Sequence, residues 1–176
     1  MGRKNTYQIP FVGLKDGVHL YEFVITDTFF ESFGSSDISS CNLKSAVSLH
    51  KVDQNNLTLS FNIKGWIKVT CDRCMVPLKE QVDESYQVQI KLTEDENLLN
   101  TDEVDILYLN ANKTVLELDQ LFYEYMHLSI PITSTCDDKD FKEKPCDLQI
   151  LEFLNEENSK EKSADPRWAA LEKLKK

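Results

Sequence analysis

The sequence predicts an α+β fold, in which a mainly antiparallel β-sheet is covered on one face by a helix. Three observations support it. The 176 residues, 41% of them hydrophobic, suit one domain with a sizeable core. Long runs alternate apolar and polar residues, as half-buried strands do, and one later segment changes to helical spacing. Strands with a single apolar face need such a helix as a cover.

The N-terminal segment predicts two short strands followed by a short helix. "YQIPFVGL" and "VHLYEFVI" flank "KDG", which predicts a hairpin with Asp16 and Gly17 at its tip. Thr28 and Glu31 form a capping-box pattern, and Gly34 supplies a stop signal. We therefore expect a helix from Thr28 to Gly34.

The central segment predicts the sheet. "SCNLKSAVSLHKVD" is a strand candidate, and Asn55 and Asn56 form the turn that follows it. From Leu57 to Cys71 seven apolar residues occupy odd positions, and a second alternating run extends to Leu92. The two runs predict an antiparallel hairpin with Cys71 and Cys74 at its tip. "VDILYLN" predicts one more short strand.

Residues 114–128 predict the covering helix. Their apolar side chains recur at helical spacing. The stripe consists of Val115, Leu118, Leu121, Phe122, Tyr125 and Leu128. Thr114 and Glu117 form a second capping-box pattern, and Pro131 prevents continuation. We interpret the aromatic residues as core packing.

The C-terminal composition predicts three units: an α+β domain with a cysteine knuckle over residues 1–152, a charged linker over 153–164 and a helical tail over 165–176. Asp165 and Pro166 are typical of a helix start. A helix this short is marginal alone, so Trp168 packs either on its own domain or in a partner's groove.

Cysteine spacing is the strongest chemical signal. The sequence shows no export signal, so we expect a reducing, cytoplasmic setting and no disulfide framework. Cys71 and Cys74 resemble a zinc knuckle, and Cys136 and Cys146 would complete a four-thiolate site, although their spacing is wide for a ligand pair. Inert thiols are the alternative. A redox pair is disfavoured because Pro77 and the alternating run argue against a following helix.

The charge balance argues against generic RNA binding by the whole surface. The formal net charge is −10, whereas affinity for nucleic acid depends on neutralising phosphates. Any RNA or partner contact should come from the basic residues near the hairpin, although an ordinary solvated strand face explains them equally well. These residues are Lys64, Lys68, Arg73 and Lys79. No apolar run is long enough to cross a membrane. No catalytic motif is present, so we expect a non-enzymatic protein.

An ordered set of motifs resembles the YceD family, named for accumulation of the large-subunit ribosomal RNA. The set is "TCDRCMVPL", "LELDQLFYEYMHLSIPI", Cys136, Cys146 and "DPRWAALEKLKK", covering roughly residues 60 to 176. The resemblance implies a bacterial, non-enzymatic factor for ribosomal RNA accumulation and ribosome biogenesis. Its implied partners are the large-subunit RNA or its precursor, with ribosomal or RNA-processing proteins. The alternative is a zinc-knuckle protein-interaction module without ribosomal specificity.

Overall fold

A five-stranded sheet organises the protein in a computed structural model, which describes residues 7–34, 37–99, 106–136, 147, 149–150 and 152–153. The strands are β1 (Gln8–Pro10), β2 (Gly17–Thr26), β3 (Ser40–Lys51), β4 (Asn56–Thr70), β5 (Pro77–Thr93), β6 (Ile106–Asn110) and β7 (Val115–Glu117). The helices are α1 (Asp27–Phe30), α2 (Glu96–Leu99) and α3 (Asp119–Leu128). The sheet has the order β2-β3-β4-β5-β6, with antiparallel pairing except between β5 and β6. The predicted α+β class with a mainly antiparallel sheet is confirmed.

The long hairpin with the cysteines at its tip is also confirmed. β4 pairs with β5 along the whole of β4, from Asn56 opposite Lys91 to Thr70 opposite Pro77. The odd-numbered residues of β4 are buried except Gly65, and the even-numbered ones form the opposite face, as the alternation predicts. At the other end of β4, the carboxylate of Asp53 accepts the backbone N–H groups of Asn55 and Asn56, which fixes the predicted turn.

One sheet face, which we call the inner face, carries the core. It presents Leu43 of β3, Phe61 of β4 and Tyr86 of β5, and α3 packs across it. The ring of Phe122 in α3 meets that of Phe61 edge-on at 5.5 Å, and Tyr125 stacks on Tyr86 at 4.5 Å. The covering helix is therefore confirmed. In the part of the chain that the structure describes, no helix or strand packs on the opposite, outer face.

The predicted hairpin at Asp16–Gly17 is wrong. β1 pairs with β7, placing Ile9 opposite Leu116, while β2 pairs with β3. Both Ile9 and Leu116 are almost fully buried. The β1–β7 pairing places these two apolar residues in the core. Sequence neighbours did not reveal this pairing, since its two strands are about a hundred residues apart.

Both predicted helix starts are also wrong. Residues 115–117 form β7 because their backbone pairs with β1, so α3 begins at Asp119 and the Thr114–Glu117 capping box is not formed. Leu128 is 69% exposed and does not belong to the core stripe. α1 spans Asp27–Phe30, so Thr28 lies inside it rather than at its cap. The Asp27 carboxylate instead accepts the backbone N–H of Cys41, which holds α1 against β3.

Gly65 allows β3 and β4 to approach closely. Its φ of +145° lies in a region that L-residues rarely adopt, and a Cβ there would overlap the carbonyl oxygen of Asn42. Gly65 lies directly opposite Leu43 in the register. This glycine is therefore required where β4 passes from the core towards the cysteines.

Of the predicted C-terminal units, the tail 165–176 and all of the linker except residue 153 lie outside the described residues. Among the helices that the structure does describe, none has the length and apolar character needed to cross a membrane.

Candidate metal centre

A tight turn after β4 brings the first two cysteines together. Cys71 follows the last residue of β4, its N–H donates to the carbonyl of Val76, and its carbonyl accepts the N–H of Met75. Met75 has a φ of 62°, the left-handed conformation that lets the chain reverse before β5. The backbone N–H groups of Arg73 and Cys74 point at Cys71 Sγ, at 3.4 and 3.5 Å. The turn is thus shaped around a sulfur atom.

The environment of Cys71 favours its thiolate. Burial raises the pKa of this thiol, but the backbone N–H groups of Cys74, Arg73 and Cys136 outweigh that effect. The net result lowers the pKa of Cys71 from 9.0 to about 7. A thiolate held by several N–H donors is the form of cysteine that binds metals.

A reciprocal clamp brings in the third cysteine. The Asp72 N–H donates to the carbonyl of Ser134 at 2.9 Å, and the Ser134 N–H donates to the Asp72 carboxylate at 2.7 Å. These two bonds dock the segment after α3 onto the turn, two residues before Cys136. Asp72 and Ser134 were missed by the sequence reasoning. Asp72 and Ser134 are 62 residues apart in the chain, so no local sequence pattern identifies them.

The three sulfur atoms form a compact, buried group. Cys74 Sγ lies 3.5 Å from Cys71 Sγ and 3.5 Å from Cys136 Sγ, and all three lie within 4.8 Å of one another. The three side chains are at most 1% exposed, and each is a free thiol. Four thiolates at about 2.3 Å from a zinc ion would have sulfur–sulfur separations of about 3.8 Å. The donor set and its spacing therefore fit a zinc site.

The fourth predicted ligand, Cys146, lies outside the described residues. The next residue, Asp147, is described, and its backbone N–H donates to Cys74. That bond lowers the pKa of Cys74, whereas burial and the neighbouring thiols of Cys136 and Cys71 raise it, and the net direction is upward. Several thiols placed this close cannot all ionise without a cation.

The fifth cysteine is separate from this group. Cys41 lies on the inner face of β3, and its Sγ is 3.7 Å from the carbonyl oxygen of Ile25. Burial, followed by the nearby Asp27 carboxylate, raises the pKa of Cys41 to about 12. Cys41 is therefore a protonated core thiol and serves as an internal control for the cluster.

The predicted basic contacts fall into two places. Lys64, Lys68 and Lys79 project from the outer face of the β4–β5 hairpin. Arg73 lies in the cysteine turn, where its guanidinium is 3.8 Å from Cys136 Sγ. A role of these four side chains in RNA or partner contact stays a prediction, as does that of Trp168, which lies outside the described residues.

Comparison with known proteins yields one family. The family model described as "Large ribosomal RNA subunit accumulation protein YceD" matches residues 59–175. The match begins within β4 and includes the cysteine turn, β5 and α3. Comparisons with curated proteins and with solved structures gave no significant match.

Proposed function

The chain belongs to the YceD family, and we propose that it is a non-enzymatic factor that supports large-subunit ribosomal RNA accumulation and ribosome biogenesis in the bacterial cytoplasm. The observation that carries the proposal is the family match over residues 59–175, which includes the cysteine turn and the covering helix. The family description itself connects these proteins with the large ribosomal RNA. Its partners in this proposal are that RNA or its precursor, together with ribosomal or RNA-processing proteins.

The cysteine cluster would supply a structural zinc site to this factor. Cys71, Cys74 and Cys136 would bind the ion through their thiolates, with Cys146 as the sequence-predicted fourth ligand. A closed set of four thiolates leaves no open position, which favours a structural over a catalytic metal. The ion would join the tip of the β4–β5 hairpin to the segment after α3, beside the Asp72–Ser134 clamp.

A protein-interaction module without ribosomal specificity is the competing function. The buried cluster favours it, because a zinc-stabilised turn can present a surface to many kinds of partner. The acidic balance, 30 acidic against 20 basic residues, also suits basic protein partners, ribosomal proteins among them. The two functions differ in whether association with the assembling large subunit is required.

Co-sedimentation separates them. The tagged chain should travel with large-subunit precursors in a sucrose gradient and be depleted from small-subunit fractions. A matched chain lacking residues 163–176 should lose this association if Trp168 anchors the tail in a partner. It should instead lose thermal stability if the tail packs on its own domain. Absence of the full-length chain from every large-subunit fraction would favour the module without ribosomal specificity.

A further inference from the structure

The outer sheet face has a charge opposite to that of the whole protein. Strands β2 to β5 present five lysines and only two carboxylates on this face, although acidic residues outnumber basic ones three to two in the chain. The lysines are Lys44, Lys64, Lys68, Lys79 and Lys91, and the carboxylates are Glu22 and Asp83. No acidic residue projects from the outer face of β3 or β4. The charge is therefore sorted by face.

Four of these lysines surround one tryptophan. In the register, Lys44 lies opposite Lys64, and Lys68 lies opposite Lys79. Trp66 occupies the row between these pairs, flanked by Asn42 and Gln81. Neighbouring strands are about 5 Å apart, and alternate residues along a strand are about 7 Å apart. We call the group Lys44, Lys64, Trp66, Lys68 and Lys79 the lysine patch.

This arrangement costs stability in the isolated protein. Like charges directly opposite each other on paired strands are destabilising. Lys64 is relieved by an exposed ion pair with Asp83 at 3.0 Å, and the Lys79 ammonium lies 4.3 Å from the centre of the Trp66 ring. Lys44 and Lys68 form no ion pair with any described residue. A polyanion would supply the missing negative charge.

We propose that the lysine patch binds the phosphate backbone of a single-stranded RNA segment, an inference that rests on the proposed function and identifies its RNA contact. The patch lies on a long face that no described helix or strand covers, and a sheet face accommodates an extended strand better than it enters the deep groove of an RNA duplex. Trp66 adds an aromatic surface on which a base can stack when Lys79 moves to a phosphate. Beyond the patch, the same face continues with hydrogen-bonding side chains, namely Ser48, Ser60, Asn62, Ser85 and Gln87.

The register, rather than the sequence pattern, assembles this surface. Lys44 is twenty residues before Lys64, and β3 brings the two side chains together across the sheet. Gly65 lies between Lys64 and Trp66 and permits the close approach of β3. Lys44 and Trp66 therefore join Lys64, Lys68 and Lys79 in one contact surface, whereas Arg73 is directed towards Cys136.

A charge-matched pair of variants tests the patch. Lys44→Gln with Lys68→Gln removes two charges from it. Lys15→Gln with Lys113→Gln removes the same charge from exposed positions outside the sheet strands. The probe is a fluorescent oligouridylate of about ten nucleotides, within the site sizes of single-strand-binding folds. Fluorescence anisotropy on the full chain gives Kd over a range of salt concentrations.

We expect the patch variant to bind the oligouridylate roughly tenfold more weakly at low salt. A plot of log K against log salt concentration should also have a slope about 1.4 smaller in magnitude, because each of the two lost phosphate contacts contributes about 0.7. The control pair should bind like the unmodified chain. Equal weakening in both pairs, or no binding by the unmodified chain, would overturn the inference. Equal affinity for an RNA duplex of the same length would also overturn it, and unfolding midpoints of both pairs verify that the chains are folded.

Trp66 fluorescence locates the bound RNA. The chain has two tryptophans, so Trp168→Phe leaves Trp66 as the single tryptophan, which is excited selectively at wavelengths that tyrosine does not absorb. Titration with the oligouridylate should change its emission with the Kd measured by anisotropy. Binding without any change in emission would place the RNA away from the patch.

A cellular readout distinguishes failure of the patch from failure of the proposed function. In a strain lacking the gene, the unmodified chain and the control pair should restore the large-subunit RNA, and the patch variant should not. Full restoration by the patch variant would contradict RNA binding by the lysine patch and leave the proposed function standing. If the deletion does not change the large-subunit RNA, the proposed function fails, and the binding measurements still decide the patch.

Discussion

Replacing Asp72 with alanine should weaken the cysteine cluster without removing a sulfur atom. The Asp72 carboxylate accepts the backbone N–H of Ser134 at 2.7 Å, and Ser134 is only 3% exposed. A hydrogen bond to a charged group contributes about 1.5–3 kcal/mol. The Asp72 side chain itself is exposed, and water screens part of that contribution. We therefore expect Asp72→Ala to lower the free energy of unfolding by about 1–2 kcal/mol.

The assay is urea unfolding followed by tyrosine and tryptophan fluorescence, together with zinc competition against a chelator. Asp72→Asn retains an acceptor oxygen and should lose about half as much stability. Asp83→Ala removes an exposed carboxylate paired with Lys64 and should cost less than about 1 kcal/mol. Zinc affinity should fall for Asp72→Ala, because Cys136 loses its docking contact. If Asp72→Ala matches Asp83→Ala in stability and keeps full zinc affinity, the clamp does not position the cluster.

Three further outcomes follow from the structure. The purified chain should contain about one zinc ion per molecule. Cys71→Ser should reduce the zinc content and Cys41→Ser should not, whereas metal-free protein with full stability would support the inert-thiol alternative. Gly65→Ala should lower the free energy of unfolding by about 2 kcal/mol or more, and Gly17→Ala should lower it less. Both glycines have positive φ, but only at Gly65 would the added Cβ meet another backbone atom, so equal losses would contradict the close approach of β3 and β4. Burial raises the pKa of Tyr125 to about 12, so the folded state keeps the phenol proton to a higher pH than the unfolded state does. Stability should therefore fall as pH rises from about 10 to 12, and Tyr125→Phe should flatten that fall in pH-dependent unfolding; an unchanged profile would contradict it.

The central sheet was predictable because its signal is local. β3 and β4 alternate over ten or more residues, β5 alternates over a shorter run from Ser85 to Ile90, and one buried face determines the register of such strands. The cysteine turn was predictable for the same reason, since Cys71 and Cys74 are neighbours at the tip of that hairpin. Short elements lacked this information. β1 and β7 contain three residues each and depend on a partner far away in the chain.

The error at the start of α3 has a physical origin in tertiary pairing. Thr114 and Glu117 have the spacing of a capping box, but the backbone between them pairs with β1. Tertiary pairing therefore overrides a local start signal, and α3 begins at Asp119. The helix's core residue Phe122 was nevertheless predicted correctly, because its contact with Phe61 depends on helical period rather than on the exact first turn.

The sequence predicted that Cys136 shares a site with Cys71 and Cys74, and the structure brings the three together, but the contacts that assemble them were not predictable. Cys136 joins the cluster through the Asp72–Ser134 clamp, which links residues that no short motif connects. Lys44 joins the lysine patch through the β3–β4 register. Both features depend on pairing between distant segments, so the sequence indicates their chemistry and some of their members but not the contacts that assemble them.

The most direct test of the proposed function is the ratio of large-subunit to small-subunit ribosomal RNA in cells lacking the gene. The ratio should fall in the deletion strain, and the unmodified chain should restore it. Cys71→Ser should restore it poorly, and Cys41→Ser should restore it like the unmodified chain, because Cys71 belongs to the cluster and Cys41 does not. An unchanged ratio in the deletion strain, with normal growth and normal subunit profiles, would contradict a role in large-subunit RNA accumulation.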